Sequence, residues 1–292
     1  MEQLLAPAQR EVGRRWERRT CNVGHEHAAT AIADAALALI TVEAVPADRG
    51  HVVVACVEGE WHALAARMAA EVFRARGWAV TFLGASVPAA DLAAFAAASA
   101  PDAVALSCSV SIVLDGARRC IHACRQEGFP VLAGGAGFGP GGRYAAAVGA
   151  DAWEADPASG ASRLDGWLDT PPSDRSPLAG DDDEHLLLMS IHGELVTRAL
   201  DRIVSRCPMK PEVTELRAGL DIVVAAIESA TLVGDPDLLA GSAPMIERAL
   251  PEDVVEAVPV VAIIEGILLD LRGRAPRAAA LVERTLPALS GS

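Results

Sequence analysis

The chain has 292 residues, enough for two compact domains or for one domain with a sizeable extension. Hydrophobic residues make up 51% and charged residues 22%, the balance of a globular chain and not of a disordered one. The net charge is −14, Lys210 is the only lysine and no basic stripe occurs, which argues against direct nucleic-acid binding, because affinity for phosphates depends on Lys/Arg contacts that release counterions.

Residues 2–19 read as a helix with Leu4, Leu5, Ala8, Val12 and Trp16 at i, i+4 spacing. Thr20 to Gly24 break it, and a second helix runs from about His25 to Val45, ahead of Pro46. Two helices cannot close a four-helix bundle, so this segment (1–48) must pack on other parts of the chain or on a partner. From residue 49 the period changes. Strands are expected at His51–Val57, Ala79–Leu83, Ala103–Ser107, Phe129–Ala133 and, more weakly, Asp151–Glu154. Helices between them are expected at about Trp61–Arg76, Pro88–Ala98, Ser111–Glu127 and Ala158–Leu168. Strands that are apolar throughout and alternate with helices imply a parallel sheet covered on both faces, here a five-stranded flavodoxin-like α/β domain over 49–170. Ligands of such sheets bind outside the C-terminal strand ends.

Residues 171–183 are rich in proline and end in an acidic run, which reads as a linker. The remainder, 184–292, is helical in pattern. Helices are expected at about Glu184–Arg206, Glu212–Thr231, Asp237–Leu250, Pro251–Arg272 and Pro276–Leu289. No internal repeat is visible. The six cysteines lack paired spacing and several lie in apolar runs, so reduced thiols used as small hydrophobes are expected. With no signal-like or bilayer-length apolar stretch, the expected location is cytoplasmic, without membrane contact.

The chemistry-bearing segment is Glu60-Trp61-His62, directly after the first strand. A neutral imidazole can bind a transition metal through one nitrogen while the other donates to a carboxylate that sets its tautomer, and Glu60 stands two residues away. Ser107-Cys108-Ser109 closes the third strand with hydroxyls at the same edge, while Leu83-Gly84 and Gly134-Gly135 close the second and fourth without bulk. Together they line a slot running from His62 into the sheet.

This combination resembles the cobalamin-binding domain, whose pattern is an acidic residue, any residue, His, two more and Gly, then a Ser-containing segment and a Gly-Gly. The resemblance covers about residues 50–170 and departs at Ala65, where the first motif's last Gly is usual, and at Ser109, where Leu is usual. It implies that His62 is the lower axial ligand of cobalt, that Glu60 orients it, and that Gly84, Ser107, Ser109, Gly134 and Gly135 meet the cofactor's nucleotide tail. Upstream, Trp16 followed after nine residues by Glu26-His27 is similar to the cap signature of light-sensing cobalamin proteins of the CarH/LitR type. That likeness implies an adenosylcobalamin photoreceptor with Trp16, Glu26 and His27 at the upper face, here expected without the DNA-binding module of those regulators. Glu17 follows Trp16, where the regulators can place a second histidine.

A cobalamin domain followed by helices also resembles the layout of the photocobilins, which implies biliverdin as a second chromophore. His185 and His192, seven apart, are the bilin-site candidates, with Arg198 and Arg202 for propionates and Cys207 the domain's only thiol. The expected output is self-association or a protein effector. The competing readings are a corrinoid carrier of a methyltransferase or mutase system, and a cobalamin-binding adaptor indifferent to light. No substrate barrel is visible, so the chain is expected not to be an enzyme by itself.

Overall fold

A computed structural model of the chain describes residues 5–18, 20–39, 46–172, 183–207 and 211–290. The chain folds as two compact units, Met1–Leu178 and Ala179–Ser292.

The first unit opens with a helical hairpin, α1 (Leu5–Glu17) and α2 (Val23–Leu39). The ends expected for these helices at 2–4, 19 and 40–45 lie outside the described residues. The α/β part follows: β1 (His51–Cys56), α3 (Ala63–Ala75), β2 (Ala79–Gly84), α4 (Ala89–Ser99), β3 (Ala103–Ser107), α5 (Leu114–Gln126), β4 (Val131–Gly134), β5 (Ala152–Glu154) and α6 (Pro157–Asp169). The strands form one parallel sheet in the order β2-β1-β3-β4-β5, the flavodoxin-like arrangement.

The uninterrupted apolar run of β1 is explained by its central place. Val52, Val53, Val54, Ala55 and Cys56 are all buried, because helices cover both faces. Val52, Val54 and Cys56 face a core shared with Phe73 of α3 and with Ala161 and Leu164 of α6, while α4 and α5 pack side by side elsewhere in the unit. Four helix boundaries have local causes. Asp156 caps α6 by accepting from the Ser159 amide at 2.8 Å, with Pro157 at its first position. The helix expected from Ser111 begins as a 3-10 turn over Ser111–Val113 and becomes α5 at Leu114. Trp61 and His62 lie in the loop ahead of α3 and not inside it. Finally, α4 ends on Ala100 in the left-handed conformation, at φ 46°.

The second unit is helical: α7 (Asp183–Arg206), α8 (Val213–Val233), α9 (Pro236–Ala249), α10 (Glu252–Ala257), α11 (Val260–Leu271) and α12 (Pro276–Ser290). The single helix expected over Pro251–Arg272 is two. Pro259 has no amide hydrogen and its ring disfavours the helical region for the residue before it, so Val258 is extended (φ −136°, ψ 95°) and the chain bends between α10 and α11. Most of the linker expected over 171–183 lies outside the described residues.

Candidate functional site at the C-terminal edge of the sheet

The strand register sets the site. Cys56 pairs with Ser107 and Ser107 with Gly134, while Ala55 pairs with Gly84 across an irregularity after Val54. Cys56, Ser107 and Gly134 therefore form one row along the edge where ligands of open α/β sheets bind, and Gly84 ends β2 beside it, one pairing back on β1. Gly84 and Gly135 have left-handed backbones, φ 86° and 107°. A Cβ on Gly84 would meet nothing within 4 Å, so the edge is open there. A Cβ on Gly135 would instead collide with the Cys108 carbonyl, so this glycine lets the β4 turn lie against the β3 turn.

Glu60 is the organising group. Its side chain is fully buried in the turn after β1, where its amide donates to the Val57 carbonyl at 3.0 Å. Oε1 accepts from the His62 amide at 2.8 Å and lies 2.6 Å from His62 Nδ1, while Oε2 accepts from the amides of Ser109 (2.5 Å) and Val110 (3.2 Å). Burial alone would raise the Glu60 pKa, but these hydrogen bonds, led by the one from the His62 ring, outweigh it and hold the carboxyl below its ordinary value. His62 is displaced upward, first by the hydrogen bond to Glu60 and against its own partial desolvation, with the Glu60 and Glu26 charges adding to the rise. With Nδ1 committed to the carboxylate, Nε2 is the nitrogen left to the outside, and the His62 side chain is 61% exposed.

Ser109 thus enters the site through its backbone amide, bonded to Glu60. Three groups escaped the sequence reading. The Val110 amide completes the Glu60 cradle, and backbone donors leave no signature in side-chain patterns. The Ser86 hydroxyl accepts from the Gly59 amide at 3.1 Å with Ser86 itself at positive φ (47°), a conformation serine does not announce. Trp61, between the two motif residues, is 75% exposed, although its neighbour Glu60 is buried.

The hairpin packs on α3, the helix that follows the β1 turn, and the Glu26 charge adds to the upward shift of the His62 pKa. Glu26 Oε1 accepts from Thr30 Oγ1 at 2.8 Å, and its Oε2 lies 3.4 Å from His27 Nδ1, whose side chain is 67% exposed. An ion pair between Asp34 and Arg67 ties α2 to α3, and Gln9 of α1 donates to the Ala29 carbonyl at 3.2 Å. Trp16 is half-buried near the end of α1, and the Glu17 side chain lies outside the described ones.

The histidines of the second unit are elsewhere engaged. His185 is buried at the start of α7. His192 lies between two carboxylates of α8, with Nδ1 3.0 Å from Glu228 and Nε2 3.3 Å from Asp221, and is raised chiefly by the bond to Glu228. Arg198 and Arg202 both reach Asp270, at 3.3 and 2.6 Å. The cysteines are free thiols; burial pushes Cys56 and Cys124 up to about 12 and Cys120 up to about 11, which keeps these three protonated and inert. Among the described residues no three or more His, Cys, Asp and Glu cluster as an all-protein metal site, and no helix is long and apolar enough to cross a membrane.

Residues 50–161 match the family model described as a B12 binding domain, and residues 1–41 match a second model with the same description. The chain thus carries B12-binding sequence in both the sheet and the hairpin, and cobalamin is the cofactor to which these domains point. Among curated proteins it is 36% identical over 138 residues to the HTH-type transcriptional repressor CarH of Myxococcus xanthus and 32% identical over 143 residues to the HTH-type transcriptional repressor CarA of the same organism. Each match covers 46% of this chain and 46% of the relative, so the chain spans less than half the length of these curated relatives. A solved structure of a cobalamin-binding protein from Desulfitobacterium hafniense DCB-2 is similar at 23% identity and a TM-score of 0.38, covering 57% of this chain and 82% of that one.

Proposed function

We propose that the chain is a non-enzymatic, light-responsive cobalamin sensor in which His62 is the lower axial ligand of cobalt. The observation that carries the cobalamin part is the His62–Glu60 pair: an exposed imidazole with one nitrogen bonded to a fully buried carboxylate and the other directed outward. This donor set fits a metal that arrives with its own equatorial ligands, because it offers one imidazole nitrogen and, among the described residues, no cluster of three or more His, Cys, Asp and Glu is present. The open edge at Gly84, where an added Cβ would meet nothing within 4 Å, fits a bulky group approaching the strand ends.

When bound, adenosylcobalamin supplies a cobalt–carbon bond that visible light breaks. The chain's own part is to hold and to respond. Glu60 keeps the His62 ring in one tautomer and orientation, and through the Ser109 and Val110 amides it ties that ring to the end of β3. Ser107, Ser109, Gly84, Gly134 and Gly135 receive the nucleotide tail. Trp16, Glu26 and His27 cover the upper face from the hairpin, an assignment supported by the likeness to CarH/LitR-type caps. The hairpin is tied to α3 by Asp34–Arg67, and Ala33 and Leu37 of α2 are buried while Ile32 and Leu39 are 70% and 82% exposed. An element so lightly tied can take two positions, and its exposed apolar residues give a change of position a route to self-association or to a protein effector.

Biliverdin belongs to the proposal as a second chromophore on the likeness to photocobilins alone. A bilin in the helical unit would have to draw His192 from Glu228 and Asp221, or Arg198 and Arg202 from Asp270.

The test is to load the protein with adenosylcobalamin in darkness and to measure its size by light scattering before and after green light, with and without biliverdin. A light-dependent change of assembly supports the sensor. A bound cobalamin whose illumination leaves assembly and partner binding unchanged transfers the chain to the corrinoid carriers or adaptors. An absorption band in the red on adding biliverdin supports the second chromophore.

A further inference from the structure

The first unit holds a cavity at the end of the sheet opposite His62, where the chain enters the strands. Its volume is about 330 Å³, which reaches the range of small-molecule sites. Trp78 lines it just ahead of β2, Phe129 just ahead of β4, and Trp167 and Leu168 come from α6. Prolines complete much of the remaining wall, and the one ionisable lining residue is Asp102, at the entry to β3.

Asp102 is exposed to solvent. Its Oδ2 accepts from the His51 amide at 2.7 Å, which fixes the carboxylate without neutralising it. The neighbouring Asp165 differs, since Arg49 pairs with it at 2.9 Å and the Trp78 indole donates to it at 3.0 Å. Among the described residues no cation pairs with Asp102. The carboxylate and an indole also converge: a Cβ built on Gly50 would lie 2.7 Å from Asp102 Oδ2, 2.9 Å from Trp78 Cζ3 and 3.1 Å from Leu168 Cδ2. Glycine at position 50 therefore lets the acid, the aromatic ring and the aliphatic chain pack close against the backbone.

Aromatic faces attract cations through their quadrupole, most strongly for Trp, and apolar walls favour a cation wrapped in alkyl groups over a hydrated one. A bare divalent ion would need several oxygen ligands, and the lining side chains supply one carboxylate. An anion would meet Asp102. We propose that this cavity binds a small organic cation, an alkylated ammonium, with the exposed Asp102 as counter-charge and the half-buried Trp167 and Phe129 as the aromatic wall. The site lies at the end of the sheet opposite His62 and stands independently of the cobalamin reading.

The test uses the full chain and isothermal titration with choline, compared with 3,3-dimethylbutan-1-ol, its neutral isostere. Choline is expected to bind about tenfold or more tighter than the alcohol. Asp102→Asn retains an acceptor for the His51 amide and is expected to erase most of that preference. Trp167→Leu weakens choline binding. Equal binding of both probes, binding of neither, or an Asp102→Asn protein that still prefers choline as strongly as wild type overturns the proposal. If Trp167→Leu does not fold, the Asp102→Asn comparison decides the question alone.

Discussion

Glu60→Gln is the most informative single change at the edge. The wild-type carboxylate is fully buried and takes four contacts, from the His62 amide and ring and from the Ser109 and Val110 amides. Glutamine keeps one oxygen but turns an NH2 group toward donors, so at least one of those amides loses its acceptor. A buried donor left unsatisfied costs about 1–3 kcal/mol, so a loss of about 2 kcal/mol is expected, a large part of the roughly 5–15 kcal/mol that holds a domain together. The second effect is on His62. Its raised pKa has the Glu60 hydrogen bond as first cause, and partial desolvation opposes the rise. With the carboxylate gone, the His62 titration moves down toward the ordinary imidazole value of about 6.5. Histidine side-chain NMR follows that titration, and urea unfolding of the same sample follows the stability. The sign of the pH dependence is fixed by the directions. His62, raised, adds stability that is full below its unfolded pKa and is lost as pH rises through the folded one, whereas Glu60, lowered, adds stability above its unfolded pKa that is lost as pH falls through the folded one. A His62 titration unchanged in Glu60→Gln would refute the reasoning, because nothing else on the edge supplies the leading cause of the rise.

Other consequences follow from the same contacts. Gly135→Ala forces φ 107° on a residue with a Cβ that meets the Cys108 carbonyl, and is expected to cost more than about 2 kcal/mol in urea unfolding. His192→Ala leaves the buried Glu228 without its nearest partner and is expected to lower stability by about 1–3 kcal/mol. Because the His192 pKa is raised, the wild-type advantage over His192→Ala is full below its unfolded pKa and shrinks as pH rises through the folded one, which thermal melts across that range would show. Asp34→Ala removes a half-exposed ion pair with Arg67 worth less than about 1 kcal/mol, yet it should speed hydrogen exchange in α2, where that pair is one of the ties to α3.

Much of the α/β architecture is legible in the sequence because its signals are local and strong. The apolar run at His51–Val57 can be buried on both faces only in a covered parallel sheet, and the spacing of Glu60 and His62 puts both groups in one turn after β1. Less is legible where tertiary packing decides. That Ser109 serves through its amide depends on where the buried Glu60 carboxylate lies, and the second end of that bridge is 49 residues away. The break at Val258 rests on Pro259, a proline outweighed by the apolar period on both sides of it. Side-chain spacing also places His185 and His192 near one face of α7, yet His185 is buried and His192 is held by acids seven residues apart on α8, pairings that only the packing of α7 on α8 creates.

The most direct test of His62 as the cobalt ligand is the absorption spectrum of adenosylcobalamin bound in darkness to the wild-type protein and to His62→Ala. A base-off, histidine-on spectrum is expected in wild type and is lost, with weaker binding, in a His62→Ala protein that remains folded. Identical spectra and affinities for the two proteins, or no binding to wild type, would contradict that assignment.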